Sequence, residues 1–163
     1  MIHVRQAQPE DEPELRRVDL ATWSSLSSPD TPPDNPDEYR FFGEGRESIE
    51  QVLVGVRDGA IAGYVKLTPA TSLPSNQHVR MINGLGVAPE HQGAGVGQAL
   101  IEAAVEKARQ LGARKVSLRV LGHNHAARQL YERCGFVVEA VLKDEFHLDG
   151  RYVDDLFMAR HLA

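Results

Sequence analysis

Leu85-Gly86-Val87-Ala88-Pro89-Glu90-His91-Gln92-Gly93-Ala94-Gly95-Val96-Gly97-Gln98-Ala99-Leu100 is the stretch from which the fold is read. Val79 to Val87 is a strand by composition, and Pro89 stops it because proline cannot donate to a sheet ladder. From Gly95 to Leu111 the residues Val96, Leu100, Ala103, Ala104, Ala108 and Leu111 recur at helical spacing, and Gly112 ends the run. The glycines between strand and helix let the backbone take positive φ and let a ligand come close to it. Successive amides then converge at the positive end of the helix dipole, a geometry that suits a phosphate. A glycine-rich connection with no ligand carries the same pattern, so the neighbouring residues decide.

Two phosphate-binding families fail that comparison. A Walker loop needs Gly-Lys-Ser/Thr, and Gly97 is followed by Gln98-Ala99. A dinucleotide fold places its glycines in the first βαβ unit with an acid about 20 residues on. Here the glycines come late, and Lys115 to Val120 contains no acid.

Working outward, Lys115 to Leu121 is a second strand, so residues 79–121 form a βαβ unit with parallel strands and a right-handed crossover. Further strands are expected over Ile2–Ala7, Gln51–Arg57, Ala60–Leu67, Phe136–Leu142 and Tyr152–Arg160. Asp58-Gly59 and Asp149-Gly150 are turn signals, the second lying in a polar stretch between the last two strands. A first helix begins near Pro9-Glu10-Asp11-Glu12, with Leu15, Val18 and Thr22 or Trp23 as its apolar stripe. Ser24 to Asp37, with prolines at 29, 32, 33 and 36, is a long loop of the kind that often carries function, and a short helical piece is expected over Glu38 to Phe42. Asn124 to Cys134 is a second short helix closed by Gly135. The whole is an α/β (α+β) layered design: a mixed, mostly antiparallel twisted sheet with a central parallel pair, flanked by helices. The length of 163 residues fits a single domain, 1–163.

The formal net charge is -5 with no Lys/Arg run, which argues against a nucleic-acid partner. Cys134 is the only cysteine, so an intrachain disulfide is excluded and no metal site is expected. No apolar run reaches the roughly 20 residues of a membrane span, and the N-terminus lacks a signal-like h-region, so no membrane partner and a cytoplasmic location are expected.

Residues 85–100 resemble the acyl-CoA motif of the GNAT acetyltransferase superfamily, a strand ending in Val-x-Pro, then Arg/Gln-x-x-Gly-x-Gly/Ala, then a helix. Asn124-His125-Ala126-Ala127-Arg128-Gln129-Leu130-Tyr131-Glu132-Arg133-Cys134-Gly135-Phe136 resembles a second signature of that family, Asn-x-x-Ala-x-x-x-Tyr-x-x-x-Gly-Phe, at the right distance. The resemblance implies the family's fold, with the two parallel strands splayed apart, and acetyl-CoA as acyl donor. It implies that Leu85, Gly86 and Val87 pair with the pantetheine arm, and that the amides of Gln92, Gly93, Ala94, Gly95, Val96 and Gly97 cradle the pyrophosphate. It further implies that Asn124, Ala127 and Tyr131 face the cofactor. Gly84 and Gly86 share one strand face, which fits either a close approach or a bulge.

Acyl transfer from a thioester to an amine needs a neutral amine, donors for an oxyanion and a proton for the leaving thiolate. An alkyl amine of pKa near ~10.4 is about 3.4 units from neutral at pH 7, a cost of roughly 4.6 kcal/mol. Asn124, Ala127 or Arg128, and Tyr131 share one helix face, and a phenol can donate to a departing sulfur. Tyr131 is therefore the candidate general acid, with core packing as its other reading, and Asn124 as an N-cap is the other reading for that residue. Many members of the family carry a glutamate where this chain has Asn83, which can order a water but cannot accept the proton. Glu145, Asp144, His147, His123 and His125 remain open as bases. Cys134, with no histidine at defined spacing, reads as a packing cysteine.

The acceptor pocket is expected between residues 23–42 and the last two strands, with Trp23 and Glu145 as substrate contacts. Residues 145–158 loosely resemble the tail of small-molecule N-acetyltransferases. The expected partner is a small-molecule amine, with a protein amine or a non-catalytic acyl-CoA-binding role as alternatives, and a homodimer left open.

Overall fold

The computed structural model describes residues 1–43 and 45–163. Seven strands form one sheet: β1 (Ile2–Gln6), β2 (Val52–Arg57), β3 (Ala60–Pro69), β4 (Val79–Val87), β5 (Lys115–Leu121), β6 (Val137–Leu148) and β7 (Arg151–His161). Their spatial order is β1-β2-β3-β4-β5-β7-β6. Among the described residues only β4 and β5 are parallel, and the other neighbouring pairs are antiparallel. Tight hairpins join β2 to β3 and β6 to β7, and the crossover through a helix explains the parallel pair.

Helices α1 (Glu12–Thr22), α2 (Arg46–Glu50), α3 (Val96–Gln110) and α4 (His125–Arg133) complete the fold. On one face, α3 lays Val96, Leu100, Ile101, Ala104, Val105 and Ala108 into a core shared with Val65, Leu118, Phe136 and Met158. Fully burying an aliphatic side chain contributes about 1.5–3 kcal/mol, so this stripe fixes the helix more than its propensity does. The opposite face carries a smaller core in which Leu15 and Val18 of α1 meet Val52, Val54, Tyr64 and Phe41. The sheet is thus covered on both sides.

The structure departs from the sequence reading in three places. β6 runs on to Leu148 instead of ending at Leu142, and the polar stretch is strand. As an edge strand with mostly exposed residues it carries no hydrophobic alternation to read, and its register slips between Leu142 and Phe146, where Asp144 takes φ +52°. Residues 38–42 form no helix. Their backbone is held from elsewhere: the Phe41 and Phe42 amides donate to the Glu12 carboxylate at 2.6 and 2.9 Å. The five-residue α2 is too short to show a helical period and has no counterpart in the sequence reading.

Candidate active site

The site lies where β4 and β5 part. They pair for only four positions, Val79↔Lys115 to Ile82↔Leu118. The cause sits on the other side of β4. Between Leu85↔Val65 and Ile82↔Leu67, β4 carries one residue more than β3, which places a bulge at Asn83-Gly84. A bulge bends its strand. Above it, Leu85, Gly86 and Val87 stay paired with Val65, Tyr64 and Gly63 but have no partner on the β5 side among the described residues. Arg119, Val120 and Leu121 of β5 keep only the partners on their other edge, Phe157, Leu156 and Asp155 of β7. A strand edge is therefore left open inside the sheet.

A cavity of about 440 Å³ fills this opening and continues over the α1 face of the sheet. Asn83, Gly84, Leu85, Asn124, Ala127 and Tyr131 are among the residues that line it. Its wall also includes Asp19 and Thr22 of α1, Trp23 just after it, Tyr39 and Phe41 of the following loop, and Tyr64 and Lys66 of β3.

Beyond β4, Pro89–His91 make one 3-10 turn and Gln92 returns its side-chain amide to the Val87 carbonyl at 3.2 Å. Gly93 and Gly95 then take φ of +79° and +88°, and Gly95 is the N-cap of α3. A β-carbon would meet nothing within 4 Å at Gly93, and only the tip of Ile2 at Gly95. These glycines are set by backbone conformation rather than by crowding, and they leave the first amides of α3 open. Gly97 is different: a β-carbon there would lie 2.9 Å from Leu130, so it sets the contact between α3 and α4. What comes close to Gly86 is the Tyr64 ring, whose carbon would stand 2.7 Å from an added β-carbon.

Tyr131 is buried on α4, its ring centroid 6.0 Å from that of Phe136. Burial pushes its pKa up to about 12, so it stays a proton donor at any physiological pH. Asn124 lines the cavity and also caps α4, accepting from the Ala127 amide at 3.3 Å. Cys134 is packed in the core, and burial raises its thiol pKa, which leaves it unreactive. Asn83 is exposed on the cavity wall.

Trp23 also lines the cavity, whereas Glu145 does not: it stands exposed on the extended β6. Of the other bases considered, Asp144 and His147 are exposed on β6, and His147 stacks on Tyr152. His123 and His125 line a separate recess of about 280 Å³, and the His123 Nε2 lies 3.1 Å from the Ser25 carbonyl oxygen. None of these five lines the main cavity.

The cavity holds ionisable groups that the sequence reading passed over. Asp19 accepts hydrogen bonds from both Tyr39 and Tyr64, the latter at 2.5 Å. Arg119 Nε donates to the buried Asp155 at 2.6 Å while its guanidinium lies 4.8 Å from the Phe157 ring centroid. Lys66 stands 5.5 Å over the Phe41 ring. A signal for Asp19 was present: it follows Leu15 by four residues, so it is an acid beside the apolar stripe of α1. Among the described residues no group of three or more His, Cys, Asp or Glu could hold a metal. Among the described residues no helix is long and apolar enough to cross a membrane.

The family model described as Acetyltransferase (GNAT) family matches residues 15–136. Spermidine N(1)-acetyltransferase of Vibrio cholerae is 45% identical over 69 residues, 42% of this chain and 40% of that protein. L-amino acid N-acyltransferase MnaT of Escherichia coli is 30% identical over 111 residues, 68% of this chain and 64% of that protein. The chain thus spans less than two thirds of either relative. A Salmonella typhimurium protein solved with its cofactor acetyl-CoA superimposes with a TM-score of 0.82 at 21% identity, over 100% of this chain and 95% of that one, which shows the shared fold.

Proposed function

The chain belongs to the acetyltransferase (GNAT) family, and from that premise we propose that it moves the acetyl group of acetyl-CoA onto a primary amine of a small molecule, by direct attack in a ternary complex. The observation that carries this reading is the open β4 edge at Leu85–Val87, flanked by the glycine turn at one end and Tyr131 at the other.

The residues fit the donor. Unpaired backbone of Leu85 to Val87 offers the pantetheine amides a strand to pair with, and the amides from Gly93 to Gly97 offer the pyrophosphate a helix N-terminus. Acetyl-CoA supplies the activated thioester carbonyl. The acceptor enters from the Trp23 side of the cavity. Its nitrogen bonds to the acyl carbon and sheds one proton to water ordered at Asn83. The carbon–sulfur bond breaks, the thiolate takes the Tyr131 proton, and solvent returns a proton to Tyr131. A pKa of about 12 makes Tyr131 a weak acid, yet one always loaded, and a thiolate next to it is poorly solvated and gains from the donor.

A small acceptor is favoured over a protein because α1 and the loop through Phe41 contribute to the cavity wall. The test is release of free CoA thiol from acetyl-CoA across a panel of alkyl amines, amino acids, polyamines and lysine-bearing peptides. Turnover confined to peptides would move the reading to a protein acetyltransferase. Tight CoA binding with no turnover on any amine would move it to a non-catalytic acyl-CoA sensor.

A further inference from the structure

Asp19 is a carboxylate with two phenol partners and, among the described residues, no cationic one. It lies on α1 within the cavity wall, held by Tyr39 from the loop and Tyr64 from β3. Each of its oxygens accepts one phenol, which leaves about two of its four lone-pair sites free. The Tyr64 ring is itself wedged against Gly86, so the clamp is fixed to the strand that borders the acyl gap. The last turn of α1, with Thr22 and Trp23, faces the same cavity, and the carbonyl end of a helix dipole adds negative potential there.

We propose that Asp19, clamped by Tyr39 and Tyr64, is the seat of the acceptor's amino group: it draws the ammonium into the cleft and faces the nitrogen during attack. The proposal rests on the cleft being the acceptor site of an acetyltransferase. Burial, followed by the Asp19 charge, raises the pKa of both phenols, so they remain donors and the carboxylate keeps its two hydrogen bonds. With each oxygen already accepting a phenol, the part assigned to Asp19 is electrostatic. When a neutral amine attacks a carbonyl, the nitrogen becomes positive before it loses its proton. A fixed anion beside it stabilises that charge as it forms. The proton leaves for solvent. The other charged groups on the cavity wall are Lys66, which lies over Phe41, and Arg119, which is bonded to Asp155. Neither supplies an anion for an ammonium to meet.

The experiment compares two acceptors, an alkyl amine that is cationic at pH 7 and an aryl amine that is neutral there, in wild type and in Asp19→Asn. Wild-type turnover of neither amine overturns the acetyltransferase reading itself. With turnover established, Asp19→Asn is expected to raise KM for the cationic amine at least tenfold, with KM for the aryl amine within threefold and CoA affinity unchanged. An equal loss for both amines would assign Asp19 a merely structural part and overturn the proposal, as would no loss for either. Should the variant not fold, wild type alone decides through a tertiary ammonium that mimics the acceptor, set against its uncharged carbon isostere. The ammonium should inhibit competitively with the acceptor at least tenfold better than the isostere. Equal inhibition would overturn the proposal.

Discussion

At the residue scale the cavity divides into groups that a local pattern reveals and groups that it does not. Tyr131 and Asn124 are seven residues apart on one helix, so their common face can be counted from the sequence, and the structure lines the cavity with both. Asp19, Tyr39 and Tyr64 come from a helix, a loop and a strand, and no spacing links them. Glu145 shows the converse failure, a plausible carboxylate that an exposed edge strand carries away from the cavity. For Tyr131 the expectation is direct. Tyr131→Phe keeps the ring against Phe136 and removes the proton, so turnover should fall on the order of 10²–10⁴-fold. CoA affinity, by calorimetry, should be unchanged. Wild-type turnover with chemistry rate-limiting would leave Tyr131 as packing only. Lys66 sets a second test on acceptor choice. Lys66→Met removes a cation on the cavity wall, so an acceptor with a carboxylate should lose kcat/KM more than a simple amine does. Equal effects on the two acceptors would remove Lys66 from recognition.

At the element scale, the glycine turn and α3 are local structure and were legible for that reason: proline stop, glycine turn and apolar stripe lie within one stretch of chain. The bulge at Asn83-Gly84, which parts the strands, depends on register with β3 and has no local sign beyond Gly84 itself. At Gly95 the backbone is left-handed at φ +88°, and Gly95→Asp adds both strain and a negative charge at the helix N-terminus. CoA affinity should drop by at least tenfold, measured by calorimetry, with the far-UV spectrum kept. Unchanged affinity would remove the turn from the cofactor site. A different element contact governs acid stability. Arg5 of β1 holds the buried Asp11 carboxylate with two hydrogen bonds, 2.8 and 3.0 Å, just before α1. The hydrogen bond from Arg5, foremost, keeps that carboxyl below its usual range in the folded state. A lowered folded value means the stabilisation is complete above the unfolded value near ~3.9 and fades as pH falls through the folded one. Asp11→Asn should therefore cost about 1–2 kcal/mol at pH 7 and progressively less in acid. Urea melts at pH 7 and pH 3 check it: a loss of equal size at both would mean the charge is not what matters.

At the scale of the whole molecule, the reaction must dispose of a proton that no side chain in the cavity is fitted to take. Asn83 stands where a carboxylate would serve, Tyr131 is held protonated, and no histidine lines the cavity, His147 lying on β6 and His123 and His125 in the separate recess. Asp19 has its oxygens engaged by two phenols. The proton therefore goes to water, and the rate follows the fraction of acceptor already neutral. Because kcat/KM reports free enzyme and free substrate, it should climb with pH to well above 8 for an alkyl amine and bend at that amine's own pKa. Acceptors of lower pKa should bend correspondingly lower. The donor sets no limit in this range, since a phenol with pKa of about 12 keeps its proton throughout. Asn83→Ala should lower kcat/KM only modestly, within about tenfold, because it removes a water contact and no base. A protein base would behave otherwise. It would give a limb near pH 6–7 that keeps its position from one acceptor to the next and disappears when one side chain is replaced. Such a limb, abolished by substitution of His123 or Glu145, would mean that the cavity closes over that residue during turnover and would overturn the water route.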